Sequence, residues 1–369
     1  MVQTINKEHK NAERRPSDIG TIPEDWEVKK LGEILKVKHG KSQKDVEVID
    51  GKYPILGTGG LMGFTNSYLY NKESVLIGRK GTIDKPRFMN TPFWTVDTLF
   101  YTEIDTQILP KFIYYNFLLI DWYSYNEASG VPSLNAKTIE KIELALPPLP
   151  EQKRIAAALS DMDSLLNNLE ELIAKKRSLK QGAMQELLKP KEGWVVKKIK
   201  EIASISTGSK NTQDRVDNGL YPFFVRSQTI ERINSFSFDG EAVLTAGDGV
   251  GIGKVIHYVN EKFDIHQRVY KISHFDSTVL GFYFFLYFKN NFYERIMQMT
   301  AKSSVDSIRL EMISEMPIFI PPLSEQESIA KILSEIDLEL EVLEGKRAKY
   351  QQMKTGMMQE LLTGRVRLV

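Results

Sequence analysis

A glycine-rich run is the segment of this chain that comes nearest to a cofactor-binding loop. It reads Gly247-Asp-Gly-Val-Gly-Ile-Gly-Lys254, and loops of this kind can hold phosphate groups with backbone N–H donors. The run fits neither G-x-G-x-x-G nor G-x-x-x-x-G-K-[ST], because Ile252 and Asp248 occupy positions that must be glycine. We therefore predict a tight turn between strands here and no nucleotide site.

The rest of the chain carries no catalytic or metal-binding pattern. DNA amino-methyltransferases need an Asn/Asp-Pro-Pro-aromatic loop, whereas the two double prolines, Pro147-Pro148 and Pro321-Pro322, are flanked by aliphatic residues. No Pro-Asp…Glu-x-Lys nuclease spacing is present either. The histidines show no H-E-x-x-H spacing and have no cysteine partners; they are His9, His39, His257, His266 and His274. These patterns predict a chain without catalytic residues, metal or cofactor, which binds and positions other molecules.

Positive charge gathers in two short segments although the net charge of the chain is only +1. Such segments are either ordinary solvated loops or loops that face phosphate groups, and composition does not decide between the two. The residues concerned are Lys36, Lys38, Lys41 and Lys44 in the first segment and Arg79, Lys80, Lys85 and Arg87 in the second.

Length and composition indicate two or three globular domains in a reducing compartment. The chain has 369 residues and no cysteine, so disulfides and thiolate chemistry are excluded. Its N-terminus is polar rather than signal-like, and its longest apolar runs are about ten residues, against ~20 for a membrane span. We expect a soluble, cytoplasmic protein with no membrane partner.

The positions of these segments follow from an internal repeat. Residues 147–188 and 321–362 match without a gap at an offset of 174, the difference between Pro321 and Pro147, and about half of the positions are identical. A second match precedes each copy at an offset of 168, because Trp26-Glu-Val-Lys-Lys corresponds to Trp194-Val-Val-Lys-Lys. The chain is therefore a tandem of two units, each a divergent globular segment followed by a well-matched helical one.

Each helical segment carries a heptad stripe that needs a partner helix. The simplest partner for the first helix is the second, paired antiparallel within one chain, although pairing between chains remains the alternative. Only Arg347 breaks the sixth position of the second stripe. The predicted seam residues are Ile155, Leu159, Met162, Leu166, Leu169 and Ile173 in the first helix and Ile329, Leu333, Ile336, Leu340 and Leu343 in the second.

These patterns predict an α+β fold with an internal pseudo-twofold repeat. Short β-rich runs with interspersed helices indicate two mixed α/β domains, separated by two long helices that pair as an antiparallel coiled coil. The expected boundaries are a flexible tail over 1–20, a first domain over 21–146, a helical spacer over 147–189, a second domain over 190–320 and a second spacer over 321–369.

Over almost the whole chain this pattern resembles the specificity subunit of type I restriction-modification systems. The resemblance rests on the repeat and on an ordered set of short matches: Ile-Pro-Glu-Asp-Trp26, Tyr53-Pro-Ile-Leu-Gly-Thr-Gly-Gly-Leu-Met-Gly63, Leu76-Ile-Gly-Arg-Lys-Gly-Thr-Ile83, Pro-Pro-Leu-Pro-Glu-Gln152 and Gln-Glu-Leu-Leu-Thr-Gly364. The second domain departs from the first, with Ala246-Gly-Asp-Gly where the first has Gly78-Arg-Lys-Gly.

The resemblance implies a non-catalytic subunit with two target recognition domains. Each domain would read one half of a bipartite site in double-stranded DNA, and the helices would set the length of the unread spacer. Two adenine methyltransferase (modification) subunits would dock on the helices and domains. S-adenosylmethionine, Mg and ATP would belong to the partners, which include the restriction and translocase subunits.

Loop residues with basic or amide side chains are the expected DNA contacts. Arginine suits guanine, glutamine or asparagine suits adenine, and lysine more often contacts phosphate. The candidates are Lys38, Lys41, Ser42, Gln43, Lys44, Arg79 and Lys80 in the first domain and, by internal alignment, Ser209, Lys210, Asn211, Arg226, Gln228, Lys254 and Arg268 in the second.

Two other functions fit the same sequence. One is a targeting subunit for a type II enzyme that combines nuclease and methyltransferase. The other is a structural coiled-coil scaffold that forms oligomers and has no sequence preference for DNA.

Overall fold

The computed structural model of this chain describes residues 14–299 and 307–369. The chain divides into two units. Unit 1 contains Met1–Glu170 and Gly345–Val369, and unit 2 contains Glu171–Glu344. In the described ranges no helix has both the length and the apolar character that a membrane crossing requires.

The described residues of unit 1 form twelve strands and three short helices, followed by the start of a long helix. The strands are β1 (Arg14–Ser17), β2 (Gly20–Pro23), β3 (Glu27–Lys30), β4 (Leu35–His39), β5 (Glu47–Val48), β6 (Tyr53–Gly57), β7 (Gly60–Thr65), β8 (Ser74–Gly78), β9 (Arg87–Met89), β10 (Trp94–Thr95), β11 (Leu99–Ile104) and β12 (Glu143–Leu146). The helices are α1 (Leu31–Ile34), α2 (Pro110–Phe117), α3 (Ala136–Glu140) and α4 (Leu149–Leu187), which begins in unit 1 and ends in unit 2.

Two four-stranded sheets form the body of unit 1. Their strand orders are β10-β6-β7-β5 and β4-β11-β8-β9, and the pairing of β10 with β6 is the parallel one among these neighbours. Strand β12 returns to pair antiparallel with β3, which joins the end of the domain to its beginning. Pro147 and Pro148 follow β12 and, because proline cannot continue a ladder, they end the strand before α4 starts.

Residues 14–17, which belong to the predicted flexible tail, pair with residues 20–23. Strands β1 and β2 form an antiparallel hairpin in which Ser17 lies opposite Gly20. Gly20 has a φ of 104°, a conformation that glycine adopts without steric cost. Arg15 also donates a hydrogen bond to the carbonyl of Trp26 at 2.8 Å. The polar composition suggested disorder, but backbone pairing stabilises this segment; residues 1–13 of the predicted tail lie outside the described residues.

In unit 2 the described residues form eight strands and four helices. The strands are β13 (Val195–Lys198), β14 (Ser204–Thr207), β15 (Tyr221–Phe224), β16 (Glu231–Ile233), β17 (Phe238–Ala246), β18 (Ile256–Ile265), β19 (Val269–Ser273) and β20 (Pro317–Ile320). The helices are α5 (Ile199–Ile202), α6 (Gly281–Met299), α7 (Leu310–Ser314) and α8 (Leu323–Leu361), which begins in unit 2 and ends in unit 1.

In unit 2 a single six-stranded sheet takes the place of the two sheets of unit 1. Its order is β14-β19-β17-β18-β15-β16, and β15 runs parallel to β18. Strands β13 and β20 pair antiparallel, as β3 and β12 do in unit 1. The mixture of sheets and helices in both units confirms the predicted α+β class.

In each unit, the first turns of one long helix pack together with the last turns of the other. In unit 1 the core that holds Trp26 and Phe112 also contains Ile155 and Leu159 from α4 and Met358 from α8. In unit 2 the core around Phe284 contains Ile329 and Leu333 from α8, with Met184 and Leu187 from α4 packed against it. The helices therefore belong to the cores of the domains as well as to each other.

Ion pairs between the two helices give their direction in each unit. In unit 1, Asp163 pairs with Lys354 at 2.5 Å and Glu170 pairs with Arg347 at 2.5 Å. The partner number falls from 354 to 347 as the α4 number rises, so the helices run antiparallel. In unit 2, Lys180 pairs with Asp337, the repeat-matched copies of Lys354 and Asp163.

Most of the predicted seam residues are buried. The half-buried ones are Met162, Ile336 and Leu343. The buried ones are Ile155, Leu159, Leu166, Leu169, Ile173, Ile329, Leu333 and Leu340. Arg347, which interrupts the second stripe, uses its guanidinium to pair with Glu170.

A buried glutamine fixes the start of each long helix. The Gln152 side chain donates to the carbonyl of Pro147 at 2.9 Å and accepts from the backbone nitrogen of Leu109 at 3.0 Å. Gln326 makes the matching contacts with Pro321 and Leu280, both at 2.8 Å. The Glu-Gln pair of each repeat thus ties the double proline to the start of a domain helix, α2 in unit 1 and α6 in unit 2.

Candidate nucleic-acid interface

In unit 1, the two basic segments meet at the ends of their strands, on either side of one short segment between β10 and β11. The backbone nitrogen of Lys41 donates to the carbonyl of Thr95 at 2.8 Å. The backbone nitrogens of Arg79 and Lys80 donate to the carbonyl of Thr98 at 2.8 and 3.2 Å. Residues that are far apart in sequence are therefore brought to one edge of the unit.

A glycine makes this approach possible in both units. A Cβ atom on Gly40 would lie 2.0 Å from the carbonyl oxygen of Val96, and a Cβ on Gly208 would lie 2.0 Å from that of Ile265. Both distances are far below van der Waals contact, so any side chain would push the following loop away. Gly40 and Gly208 are also matched by the 168-residue offset. The same close backbone approach therefore places the first basic loop of each domain.

Arg79 is held by backbone carbonyl and amide groups. Its guanidinium donates to the carbonyl of Asp97 at 3.1 Å, and its own carbonyl accepts from the nitrogen of Leu134 at 2.8 Å. Beside it lies an open cavity of about 560 Å³ that combines donors and acceptors with apolar surface. Its lining is His39, Arg79, Lys80, Phe100, Glu127, Ala128, Val131, Ser133, Leu134, Asn135 and Ala136.

The remaining candidates of unit 1 differ in how free their side chains are. Lys41, Ser42 and Lys44 are exposed and Gln43 is half-buried. Lys38 lies within β4 and pairs with Glu103 at 3.3 Å, so a carboxylate already compensates its charge. The other six predicted contacts of unit 1 lie near the strand ends. Lys38 instead lies inside β4, where that strand pairs with β11.

Unit 2 repeats these backbone contacts with other side chains. The nitrogen of Gly247 donates to the carbonyl of Arg268 at 2.7 Å, which matches the contact of Arg79 with Thr98. The carbonyl of Gly247 accepts from Ile308 at 2.7 Å, as that of Arg79 accepts from Leu134. The glycine-rich run lies in the connection from β17 to β18, as predicted, but it forms a loop over residues 247–255 with successive turns and not one tight turn. The two domains thus share one frame at this edge.

The predicted DNA contacts of unit 2 form two groups, and the first group is joined by ion pairs and by an amide hydrogen bond. Arg226 donates to Oδ1 of Asp248 at 2.8 Å, and Nε of Arg268 lies 3.7 Å from Oδ2 of the same residue. Gln228 donates to the carbonyl of Lys254 at 2.9 Å.

The loop after β14 supplies the second group. The backbone nitrogen of Gln267 donates to the carbonyl of Lys210 at 2.8 Å, and the Gln267 side chain donates to Asn211 at 2.5 Å. Ser209 is exposed beside them.

Asp248 and Gln267 are the residues of this edge that the sequence analysis omitted. Asp248 stands at the position that Lys80 holds in unit 1, and each makes an isolated bridge to a serine, Ser307 and Ser133 respectively. The sequence contains an indication of this difference, because the alignment at offset 168 matches Lys80 with Asp248 inside the glycine-rich run.

A buried histidine lies next to this group. His266 is 5% exposed, and its Nδ1 accepts a hydrogen bond from the backbone nitrogen of Arg268 at 3.0 Å. Burial lowers the pKa of His266, and the positive charge of Arg226 lowers it further. The imidazole is therefore neutral at pH 7, and it supports the turn that carries Arg268.

The chemistry available at these edges is that of hydrogen-bond donors and positive charge. Exposed lysines and arginines suit phosphate oxygens, and arginine forks and amides suit the edges of bases. Within residues 14–299 and 307–369, no group of three or more histidine, aspartate or glutamate side chains is arranged to hold a metal ion.

Comparison with known protein families gives a match to each half of the chain. Residues 23–181 and 191–351 both match the family described as type I restriction modification DNA specificity domain. The type I restriction enzyme MjaVIII specificity subunit of Methanocaldococcus jannaschii is 25% identical over 403 aligned positions, which cover 94% of this chain and 94% of that protein. The putative MjaX specificity subunit of the same organism is 23% identical and covers 98% of both chains.

Two solved structures share the fold. The S subunit of a type I restriction-modification system from M. genitalium has a TM-score of 0.67 at 16% identity and covers 91% of this chain and 96% of that one. A chain from a study of the assembly and conformational transition of the type I R-M system has a TM-score of 0.56 at 14% identity, with coverage of 94% and 99%. Because both repeats match the family, the chain belongs to the type I restriction modification DNA specificity domain family.

Proposed function

We propose that this chain is the targeting subunit of a type I restriction-modification enzyme and that each domain reads one half of a bipartite DNA sequence. One observation carries the proposal. The backbone frame at the strand ends is the same in both units, whereas the side chains on it differ, as Lys80 and Asp248 do. A shared frame with different side chains is what two readers of different half-sites require.

The exposed side chains at these edges divide into two roles. Lys41 and Lys44 have the exposure and charge that suit phosphate contacts, which position a protein on the duplex. Arg79, Arg226 and Gln228 carry guanidinium and amide donors, which suit base edges in the major groove. Binding should therefore combine a salt-dependent, sequence-independent part with a sequence-dependent part.

The long helices supply the common part of the complex. Both copies keep the acid–base pair that joins them, Asp163 with Lys354 and Lys180 with Asp337. A repeated surface of this kind suits two copies of one partner, and we assign that role to adenine methyltransferase subunits. Those partners supply S-adenosylmethionine, and restriction and translocase subunits supply Mg and ATP chemistry, in the cytoplasm where the DNA lies. The helices also set the length of the spacer between the half-sites.

A methylome experiment tests this function. Cells with the methyltransferase gene intact are compared with and without the gene for this chain, by single-molecule sequencing that detects N6-methyladenine. We expect one bipartite motif to lose methylation when the gene is removed. An unchanged methylome in cells that express the chain would contradict the proposal and would favour a coiled-coil scaffold that does not read DNA.

A further inference from the structure

Three charged residues from three strand ends of unit 2 form one cluster. Arg226 follows β15, Asp248 follows β17 and Arg268 precedes β19. Arg226 donates to one carboxylate oxygen of Asp248 at 2.8 Å, and Arg268 approaches the other at 3.7 Å. Each carboxylate oxygen therefore faces one guanidinium.

The carboxylate of this cluster is less exposed to solvent than the two guanidinium groups. The side chain of Asp248 is 21% exposed, whereas those of Arg226 and Arg268 are 45% and 63% exposed. The two guanidinium groups are therefore more accessible to a ligand than the carboxylate between them. Among the described residues, Asp248 is the one hydrogen-bond partner of the Arg226 side chain. The guanidinium therefore has further N–H donors to offer, on a side chain whose orientation is already fixed.

We propose that Asp248 is a positioning residue that holds Arg226 and Arg268 to read guanine in the half-site of unit 2. This inference rests on the proposed function and adds a base identity to it. An arginine fork matches O6 and N7 of guanine, the commonest specific contact in the major groove. A carboxylate that fixes the fork lowers the entropy lost when the contact forms.

The alternative interpretation of this cluster is that Asp248 itself contacts a DNA base. A carboxylate can accept a hydrogen bond from the amino group of cytosine. Here both oxygens already face arginines, and the group is the least exposed of the three. Direct contact with cytosine would need the least exposed group to reach the DNA ahead of two more exposed guanidinium groups, so the arginines are the better readers.

Unit 1 has no such cluster at the matched position. Lys80 stands where Asp248 does, and the Arg79 guanidinium is held by the backbone carbonyl of Asp97 instead. The consequence of removing the acid should therefore be confined to one half-site. This asymmetry gives every experiment an internal reference, because the unaffected half-site is read by the same molecule.

The first test compares the methylomes of cells that carry the wild-type chain or the variants Arg226→Ala, Asp248→Asn and Arg268→Ala. We expect each variant to relax one half-site at a guanine and to leave the other half-site unchanged. Asp239→Asn is the matched control, because Asp239 forms an exposed ion pair with Lys262, 3.9 Å apart, at the opposite end of β17. The control should keep the wild-type motif.

The second test measures the contact directly in the full complex with its methyltransferase subunits. Duplexes carry 7-deazaguanine, which lacks N7, at the guanine that the methylomes identify. We expect the wild-type complex to lose about 2-fold to 12-fold in affinity, because the modified base keeps O6 and gives up one of the two hydrogen bonds of a bidentate contact. The Arg226→Ala variant has no side-chain donor for N7, so it should bind the natural and modified duplexes with nearly equal affinity.

The outcomes separate the inference from the function on which it rests. If the wild type methylates a bipartite motif but the three variants keep the wild-type motif, or change it at a position other than guanine, the inference is wrong and the proposed function stands. If the wild type directs no methylation at all, both are wrong. If Asp248→Asn abolishes both half-sites while Arg226→Ala leaves both unchanged, Asp248 supports folding and not base reading.

Discussion

The indole nitrogen of Trp26 donates a hydrogen bond to Oε2 of Glu151 at 3.0 Å. The same relationship recurs in unit 2, where Trp194 donates to Glu325 at 3.2 Å. Each pair joins the first residues of a domain to the first turn of the long helix that follows it. Because both members are repeated, this closure of the domain is a property of the fold and not of one copy.

Replacing Glu151 should be much more damaging than replacing Glu325. Glu151 is 2% exposed and accepts two hydrogen bonds from Arg367, at 2.7 and 2.8 Å, besides the one from Trp26. Glu151→Ala leaves that guanidinium without its buried partner, so we expect a loss of about 3 kcal/mol in the free energy of unfolding. The urea midpoint of the purified chain measures it.

Glu325→Ala is the matched control for this change. The side chain of Glu325 is 32% exposed and pairs with Lys191 at 2.8 Å, so solvent replaces much of what is lost. We expect a cost of about 1 kcal/mol or less. Equal shifts of the urea midpoint in the two variants would show that burial does not distinguish the two copies.

The long helices and their starting points could be predicted from the sequence, because each is encoded by a pattern within one continuous segment. The heptad stripe gave the long helices, and the observed ranges Leu149–Leu187 and Leu323–Leu361 lie within the predicted spacers 147–189 and 321–369. Strict periodicity over several turns is a local signal that tertiary packing reinforces. The double prolines marked the starts of the helices for a similar reason, since they exclude a continuing strand.

Features that depend on distant partners could not be predicted. Lys38 is one of the predicted loop contacts, but it lies in a strand and forms an ion pair with Glu103 on the neighbouring strand. Asp248 looked like a turn residue, and its two arginine partners become visible only when three strand ends come together. Sequence spacing carries no information about such pairings. The sequence therefore shows which loops carry basic and amide side chains, whereas the ion pairs of those side chains become apparent only in the folded domains.

Acid should weaken unit 2 through Glu315. Hydrogen bonds from Lys198 and Lys200, at 2.7 and 2.5 Å, lower the pKa of Glu315 from 4.5 to about 2. A lowered carboxylate pKa adds stability that is complete above the unfolded value and is lost as pH falls through the folded value. Thermal midpoints of the wild type and Glu315→Gln should therefore differ above pH 4.5 and converge towards pH 2.

Salt provides the control for this pH effect. The ion pairs of Glu315 lie at the surface, so counterions screen them. The difference between the wild type and Glu315→Gln at pH 7 should shrink when ionic strength rises. A difference that is independent of both pH and salt would mean that the glutamate stabilises unit 2 by packing alone.

The paired glycines offer a way to impair one half-site at a time. A Cβ atom on Gly40 would lie 2.0 Å from the carbonyl of Val96, and one on Gly208 would lie 2.0 Å from that of Ile265. Gly40→Ala should displace the loop that carries Lys41 and weaken recognition of the first half-site, with a stability cost of about 1–3 kcal/mol. Gly208→Ala should do the same to the other half-site, as methylome sequencing would detect.

Gly59 gives the matched control for these substitutions. It lies in the first domain with no heavy atom within 4 Å of an added Cβ. Gly59→Ala should therefore keep both half-sites. Loss of both half-sites in Gly40→Ala alone would instead indicate that the chain no longer folds or assembles.

Glycines inside the long helices should behave in the opposite way. An added Cβ on Gly182 meets no atom within 4 Å, so this glycine does not serve a close helix contact. Gly182→Ala should stabilise the helix by about 0.5–1 kcal/mol, the entropic cost of glycine in a helix. Gly32→Ala is the contrast, because its Cβ would lie 3.0 Å from that of Glu140. A lower thermal midpoint for Gly182→Ala would contradict this account.

If the helices set the spacer, lengthening them must lengthen the spacer. Ion pairs that join 163 to 354 and 170 to 347 place Ile173 at the level of Glu344. Four residues inserted after each of these two positions add about 6 Å of helix, and DNA rises about 3.4 Å per base pair. The methylated motif should keep both half-sites and gain one or two base pairs between them.

Four residues inserted after Lys189, beyond the end of α4, leave the helix length unchanged and should leave the spacer unchanged as well. A spacer that ignores the paired insertion, or follows the loop insertion equally, would remove the helices from this role, since only a change in helix length distinguishes the two variants.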